Sequence, residues 1–128
     1  MTARFTSTVD SLSSQDALVI GDDTTSRSIT LDAGNLKRGA VLGQLDAGSD
    51  SDPSGNYILS LEAASDGSQT PKVILAEDCD ASGGAKETVA YFAGTFNEEQ
   101  LNFGTGHDKY SVREPLRSVG INLQPAII

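Results

Sequence analysis

Residues 87–96 read ETVAYFAGTF and form the longest strand pattern in the chain, with Val89, Tyr91, Ala93 and Thr95 on one face. Aromatic and β-branched residues in two-residue alternation are typical of a β-strand. Shorter stretches of this kind lie on both sides, and clusters of Gly, Asp, Ser and Pro separate them about every 10–15 residues. That spacing is typical of an all-β domain. The sequence therefore predicts a mostly β fold.

Short alternating or apolar segments predict the remaining strands, at residues 18–20, 27–31, 36–45, 57–61, 72–76 and 121–123. We expect the first of them to end at the turn cluster Gly21-Asp22-Asp23. Gly39 and Gly43 interrupt the third. Glycines inside a strand pattern predict a bulge or a tight bend there.

A single short helix is predicted near the C-terminal end, in residues 112–119, VREPLRSV. Its apolar residues recur at helical spacing. Ser111 is placed as the N-cap, with Glu114 as the N3 partner of a capping box. Pro115 then falls in the first turn, where a missing backbone N–H is tolerated. Gly120 supplies the stop.

The composition bounds the class of protein. A chain of 128 residues is one ordinary domain. With 9 Lys+Arg and 18 Asp+Glu, its formal charge of −9 disfavours direct binding to nucleic acid or to an anionic membrane. Only short apolar runs occur, so we expect no membrane span and no signal segment. Hydrophobic residues make up 38 %, and such a thin core favours completion by oligomerisation.

Few residues are candidates for chemistry. Residues 50–55, DSDPSG, resemble the start of an EF-hand loop, but Leu61 stands where that loop needs a glutamate at its twelfth position. A solvated turn is therefore the preferred interpretation. Cys79, the single cysteine, lies among carboxylates that disfavour a reactive thiolate, and is interpreted as a small core residue. His107 is the only histidine and has no evident nucleophile partner. The residues indicate no catalytic group, no metal site and no cofactor, so we expect a non-enzymatic protein.

The first segment of the chain, residues 1–16, has a different character. It reads MTARFTSTVDSLSSQD, in which Phe5, Val9 and Leu12 are spaced for neither a convincing helix nor a strict strand. Two interpretations stand: a frayed terminus, or an arm that becomes ordered on a partner. We expect an N-terminal arm at 1–16 and a β-rich domain at 17–128.

Three ordered segments point to a family. They are residues 36–43 (LKRGAVLG), residues 71–81 (PKVILAEDCDA) running on through 89–97 (VAYFAGTFN), and residues 116–121 (LRSVGI). In this order they resemble the head decoration proteins of tailed bacteriophages, the family of the phage lambda decoration protein D. The resemblance covers roughly residues 17–123.

That resemblance implies a β-clip-like small domain with an extended N-terminal arm. It implies homotrimers that bind the major capsid protein on the outer surface of the expanded phage head, at local three-fold sites. The trimers would clamp the shell against internal DNA pressure without catalysing a reaction. The protein would be made in the host bacterial cytoplasm and carried on the virion.

On this reading the arm binds the capsid by adding a strand to an exposed sheet edge. Phe5, Val9 and Leu12 are the candidate apolar anchors, and Arg4 is the charged one.

Two alternatives remain open. One is a free-standing β-rich module that binds a ligand or glycan through loops 46–56 and 104–109. The other is an enzyme of related architecture, with a carboxylate-lined site shared between subunits.

Overall fold

The computed structural model describes residues 18–45 and 55–125 of the chain. Within these ranges the elements follow in this order: β1 Val19–Leu31, β2 Asn35–Leu36, β3 Val41–Gln44, β4 Tyr57–Leu59, β5 Pro71–Leu75, β6 Cys79–Asp80, β7 Lys86–Asn97, a 3₁₀ helix Glu98–Gln100, α1 Lys109–Ser118 and β8 Ile121–Gln124. The prediction of a small, mostly β domain with a short helix near its C-terminal end is confirmed. Its β-clip-like description stays a prediction.

Five strands form a closed ring in the order β1-β4-β3-β5-β7, because β7 pairs back onto β1. The β1–β7 pair is antiparallel and runs from Val19 beside Phe96 to Leu31 beside Lys86. On its other edge β7 pairs first with β5 and then, in parallel, with β8. Strand β7 is therefore the spine of the fold, as the length of its sequence pattern suggested.

The apolar residues divide between two cores. Strand alternation sends Leu42 into the ring while its neighbour Val41 faces the other way. In the same way β5 puts Val73 and Leu75 into the ring and Ile74 on the opposite side. Both faces of β3 and β5 are thus buried, which explains why these segments read as continuous apolar runs.

Helix α1 covers the second core. Val112 and Leu116 are its buried side chains, and they lie one helical turn apart on one face. They pack against residues from the sheet and from the segment before the helix: Leu18, Val41, Ile74, Phe96, Leu101 and Ile121. The helix is held by this apolar contact, because ten residues alone make a marginal helix in water.

Strand β7 has the predicted position but a different pattern of burial. The four residues predicted to share a buried face are all intermediate in burial: Val89, Tyr91, Ala93 and Thr95. The buried residues of the strand instead include Thr88, Ala90, Gly94 and Phe96. Ala90 lies in the ring core, whereas Phe96 lies in the core beneath α1, where its ring centroid is 5.2 Å from that of Tyr91. The small side chain of Ala90 allows close packing inside a narrow ring, a use of alanine that a hydrophobicity pattern does not reveal.

The predicted end of strand β1 was wrong. Strand β1 does not end at residues 21–23 but continues to Leu31, with shifts of register between Ile20 and Ser26. Gly21 has a φ of 84°, which accommodates such an irregularity while the long partner strand keeps the pairing going. The turn signal therefore marks a bulge and not the end of the strand.

Helix α1 begins at Lys109, three residues before the predicted segment 112–119. Asp108 is the N-cap, because its carboxylate accepts the N–H groups of Tyr110 and Ser111. Ser111 is the N3 partner of this capping box, and Pro115 lies inside the helix. Glu114 therefore has no part in the cap.

The prediction for the end of α1 was partly correct. Gly120 has a φ of 96° and supplies the predicted stop. Val119, predicted on the apolar face, is exposed. Within the described ranges, no helix has both the length and the apolar character needed to cross a membrane.

Candidate functional site

Three strands meet where the described chain begins. Val19 in β1 lies beside Phe96 in β7, and Phe96 lies beside Leu123 in β8. The carbonyl oxygen of Leu18 accepts a 2.8 Å hydrogen bond from the backbone N–H of Asn97. Leu18 itself is fully buried in the core beneath α1. Whatever precedes Leu18 is therefore attached at a firmly anchored point.

The strand directions bring both ends of the described chain to one place. Because β1 is antiparallel to β7 and β8 is parallel to it, the start of β1 and the end of β8 lie at the same end of β7. They flank β7, so they are about 10 Å apart, or two strand spacings. We call this region, around Leu18, Asn97 and Gln124, the terminal corner. Residues 1–17 and 126–128 join the fold there.

A cluster of charged residues lies beside the terminal corner, where the chain continues from β7 into the 3₁₀ helix. Asn97 caps the 3₁₀ helix by accepting the N–H of Glu99. The carboxylate of Glu98, only 4 % exposed, forms ion pairs with Arg113 at 2.6 Å and with Lys109 at 3.7 Å. Lys109 also pairs with Glu99 at 3.0 Å, and this hydrogen bond raises the pKa of the lysine above its ordinary value. The start of α1 is thereby fastened to the end of β7.

An aromatic side chain stands on this cluster. Tyr110 is 67 % exposed, the most exposed of the large apolar side chains in the described residues. The Lys109 Nζ and the Arg113 Cζ each lie 5.6 Å from the centroid of its ring. Cations at this distance attract an aromatic ring. We call Lys109, Tyr110 and Arg113 the Tyr110 surface.

His107 ties the loop after β4 to the start of α1. Its Nδ1 lies 2.9 Å from the Ser111 Oγ, and its Nε2 lies 3.2 Å from the Ser60 Oγ and 3.1 Å from the Gln69 carbonyl oxygen. A serine hydroxyl beside an imidazole is the geometry of an activated nucleophile. Here, however, Ser60 is fully buried, and its hydroxyl donates to the Ser68 carbonyl oxygen. The contact therefore acts as a structural bridge.

A family model for the bacteriophage lambda head decoration protein D matches residues 9–118. The chain belongs to this family. The match includes the ring of strands and α1, and it reaches back into the predicted arm as far as Val9 and Leu12. The family resemblance derived from the sequence is thus confirmed. No curated protein sequence matches the chain.

Membership in the head decoration family gives the site its context. The family is made of structural proteins of the phage head and not of enzymes. The predicted capsid-binding residues Arg4, Phe5, Val9 and Leu12 lie outside the described residues. What the structure adds is the anchor of that segment, at Leu18, and the charged cluster beside it. Sequence reasoning missed the cluster because Glu98 and Arg113 are 15 positions apart and meet only through the fold.

The other residues considered as functional candidates in this head decoration protein either have a structural role or lie outside the described residues. Cys79 is buried in the ring core, in agreement with its interpretation as a small core residue. Residues 46–54, which hold most of the EF-hand-like segment, are outside the described ranges. In the part of the chain that the structure describes, three or more His, Cys, Asp or Glu residues nowhere gather as a metal site would require.

Loop 104–109, the other half of the alternative ligand site, is occupied by the His107 bridge and the Asp108 cap. A shallow depression does lie over the turn after β6, between Asp80 and Lys86. It is open to solvent and lined by small or charged residues, and so lacks the enclosing apolar walls of a typical small-molecule site. In the described residues, neither loop 104–109 nor the turn after β6 therefore offers an enclosed ligand site.

Proposed function

We propose that this protein is a capsid decoration protein that binds the outside of the expanded phage head as homotrimers at local three-fold sites. Its partner is the major capsid protein, and its role is to stabilise the shell against the pressure of packaged DNA. The observation that carries the proposal is the family match over residues 9–118, which spans nearly all of the described fold. The surface charge agrees with it, because an acidic exterior keeps a densely coated particle soluble.

The arm, residues 1–16, is the capsid-binding element in this proposal. It adds a strand to an exposed edge of a capsid subunit, with Phe5, Val9 and Leu12 as apolar anchors and Arg4 as a charged one. Main-chain hydrogen bonds supply affinity, and alternate side chains supply register. Ordering such a segment costs conformational entropy, so one arm alone binds weakly.

The point at which the arm joins the domain is suited to transmitting a mechanical force. A pull on residues before Leu18 is transmitted to β7 through the Leu18–Asn97 hydrogen bond and the pairing of Val19 with Phe96. Phe96 is fully buried, so this force enters the fold at its core and not at a surface loop. An arm attached in this way can hold two capsid subunits together without unravelling the domain.

Trimerisation multiplies this binding. Once one arm is seated, the other two bind at high effective concentration, so three weak contacts become a strong one. Binding to the expanded shell but not to its precursor stabilises the expanded form by mass action. A trimer also buries additional apolar surface between its subunits, which compensates for the small hydrophobic core of each one.

The decisive experiment adds purified protein to undecorated expanded heads and images them. Full-length protein is expected to coat the heads as trimers. A variant that lacks residues 1–16 is expected to stay folded and trimeric, by circular dichroism and light scattering, but to leave the heads bare. If the full-length protein leaves the heads bare, the decoration proposal fails. If the truncated protein coats them with undiminished affinity, the arm is not the binding element.

A further inference from the structure

We propose that the Tyr110 surface is a second, rigid contact with the same capsid subunit that receives the arm. This inference rests on the proposed function and adds to it a named docking surface on the folded domain. The partner surface that it fits has an apolar side chain that covers the tyrosine ring, and carbonyl or carboxylate oxygens next to that side chain. Those oxygens would accept hydrogen bonds from the tyrosine hydroxyl and from the flanking cations.

The first argument is continuity with the arm. Asn97 holds the root of the arm through the Leu18 carbonyl oxygen, and the next residue, Glu98, holds Arg113 and Lys109. One short path of adjacent residues thus joins the arm to the Tyr110 surface. A partner that grips the arm close to Leu18 therefore approaches Tyr110 as well.

The second argument is order before binding. The buried carboxylate of Glu98 fixes the Arg113 guanidinium, which lies with Lys109 against the ring of Tyr110. The backbone of Tyr110 is fixed too, because its N–H donates to the Asp108 carboxylate in the helix cap. A side chain restrained before association loses little entropy when it binds. The arm and the Tyr110 surface are therefore complementary: one is adaptable, and the other sets position.

The third argument is chemical. Tyrosine and arginine are enriched among the residues that dominate interface energies. Helix α1 carries three of the nine basic residues of a chain with net charge −9, namely Lys109, Arg113 and Arg117. Burying Glu98 uses its charge to orient two of these cations and withdraws it from the surface. The exposed part of the cluster therefore presents the Tyr110 ring beside the partly exposed Arg113 and Lys109, with Glu99 as the exposed partner of Lys109.

The test measures binding of full-length variants to undecorated expanded heads by co-sedimentation over a concentration series. Tyr110→Ala should weaken binding about tenfold or more, the loss typical of a dominant interface residue. Tyr110→Phe, which keeps the ring, should lose less. Leu61→Ala is the matched control, because Leu61 is also an exposed apolar side chain, at 40 %, but lies in the loop after β4 and not on α1. It should bind as the wild type does.

Each other outcome has a definite meaning. If Tyr110→Ala coats heads with wild-type affinity, the inference is wrong. If Tyr110→Ala dissociates into monomers in light scattering, the surface is a contact between copies of this chain, and the inference is again wrong. If wild-type protein itself does not bind heads, the proposed function has failed and this inference with it. Unchanged unfolding midpoints for the three variants would show that the fold is intact.

Discussion

The backbone N–H of Asn97 donates a 2.8 Å hydrogen bond to the carbonyl oxygen of Leu18. The first described residue is thus hydrogen-bonded to the last residue of β7, the antiparallel partner of β1. Leu18 also packs beneath α1, and is fully buried there. The residue at which the predicted arm joins the domain is therefore part of the hydrophobic core. A change of side chain at this position should affect the stability of the whole domain.

Leu18→Ala should lower the free energy of unfolding by about 2–5 kcal/mol, the usual cost of removing a buried leucine side chain and leaving a cavity. Val19→Ala is the control, since Val19 is only half-buried at the edge of the same core. It should cost about 1 kcal/mol. Urea unfolding followed by circular dichroism measures both. Equal losses for the two variants would mean that Leu18 is not a core residue in solution.

Gly43 marks a close approach of two backbones. A Cβ atom there would overlap the carbonyl group of Ser68 and lie 2.8 Å from its Cα. Gly43→Ala should therefore force the loop away and cost about 3 kcal/mol or more, as severe overpacking does. Gly83→Ala is the matched control, because no atom lies within 4 Å of a Cβ added at Gly83. It should leave the thermal unfolding midpoint nearly unchanged, and a similar drop for both would refute this account of Gly43.

The elements that could be predicted from sequence are those fixed by local patterns. Strand β7 and strand β8 were predicted because their alternation is visible within a few residues, and Gly43 because a glycine in a strand predicts a bulge. The end of β1 could not be predicted in this way. Whether Gly21 ends the strand depends on pairing with β7, which is distant in sequence.

The start of α1 shows a different limit. Asp108 and Ser111 are both good N-cap residues, so local preference alone does not choose between them. Asp108 prevails because its carboxylate accepts two backbone N–H groups while the Ser111 hydroxyl contacts His107. The contacts of the site are non-local in the same way: Ser60 and His107 are 47 positions apart. Their meeting depends on the closed ring, which no single segment encodes.

The helix cap predicts a dependence of stability on pH. The hydrogen bond from the backbone N–H of Ser111 holds the pKa of Asp108 below its ordinary value of 3.8, and the hydrogen bond from the backbone N–H of Tyr110 acts in the same direction. A carboxyl group whose pKa is lowered by folding stabilises the fold above its unfolded-state pKa, and this contribution disappears as the pH falls through the folded-state value.

Asp108→Ala should therefore be less stable than the wild type at pH 7, and the difference should narrow as the pH falls below about 4. Asp108→Asn is the control, because it keeps an oxygen that can cap the helix but has no charge to titrate. It should lie between the other two at neutral pH. Urea midpoints over a pH series measure the effect, and a constant difference between wild type and Asp108→Ala would contradict it.

His107 should prove to be a structural residue. His107→Ala removes the bridge from the Ser111 hydroxyl to Ser60 and the Gln69 carbonyl oxygen. The expected loss is about 1–3 kcal/mol, since each net hydrogen bond contributes roughly 1 kcal/mol. Amide hydrogen exchange should accelerate first in residues 60–70, because they lose their tie to α1. Exchange that rises evenly over the domain would mean that His107 does not act on this loop.

Glu98 and Glu99 are adjacent acids with unequal roles. Glu98 is 4 % exposed and pairs with both Arg113 and Lys109, whereas Glu99 is 52 % exposed and pairs with Lys109. Breaking a buried ion pair by removing one partner typically costs about 3–5 kcal/mol because the other charge is left uncompensated. Arg113 is 38 % exposed and can be partly hydrated, so about 1–3 kcal/mol is expected for Glu98→Gln. Glu99→Gln should cost under about 1 kcal/mol, as exposed pairs do.

The same pair of variants separates stability from binding. Glu98→Gln removes the charged partner of Arg113 and leaves Lys109 paired with Glu99 alone, so the cations beside the ring of Tyr110 are held less firmly. It should therefore weaken binding to expanded heads even at temperatures where the domain is fully folded. Glu99→Gln should keep nearly full binding, because Lys109 still pairs with Glu98. Co-sedimentation with heads, run beside urea unfolding of each variant, reports both quantities. If Glu98→Gln loses stability but binds normally, the charged cluster serves the fold alone, and order at Tyr110 is not what the capsid recognises.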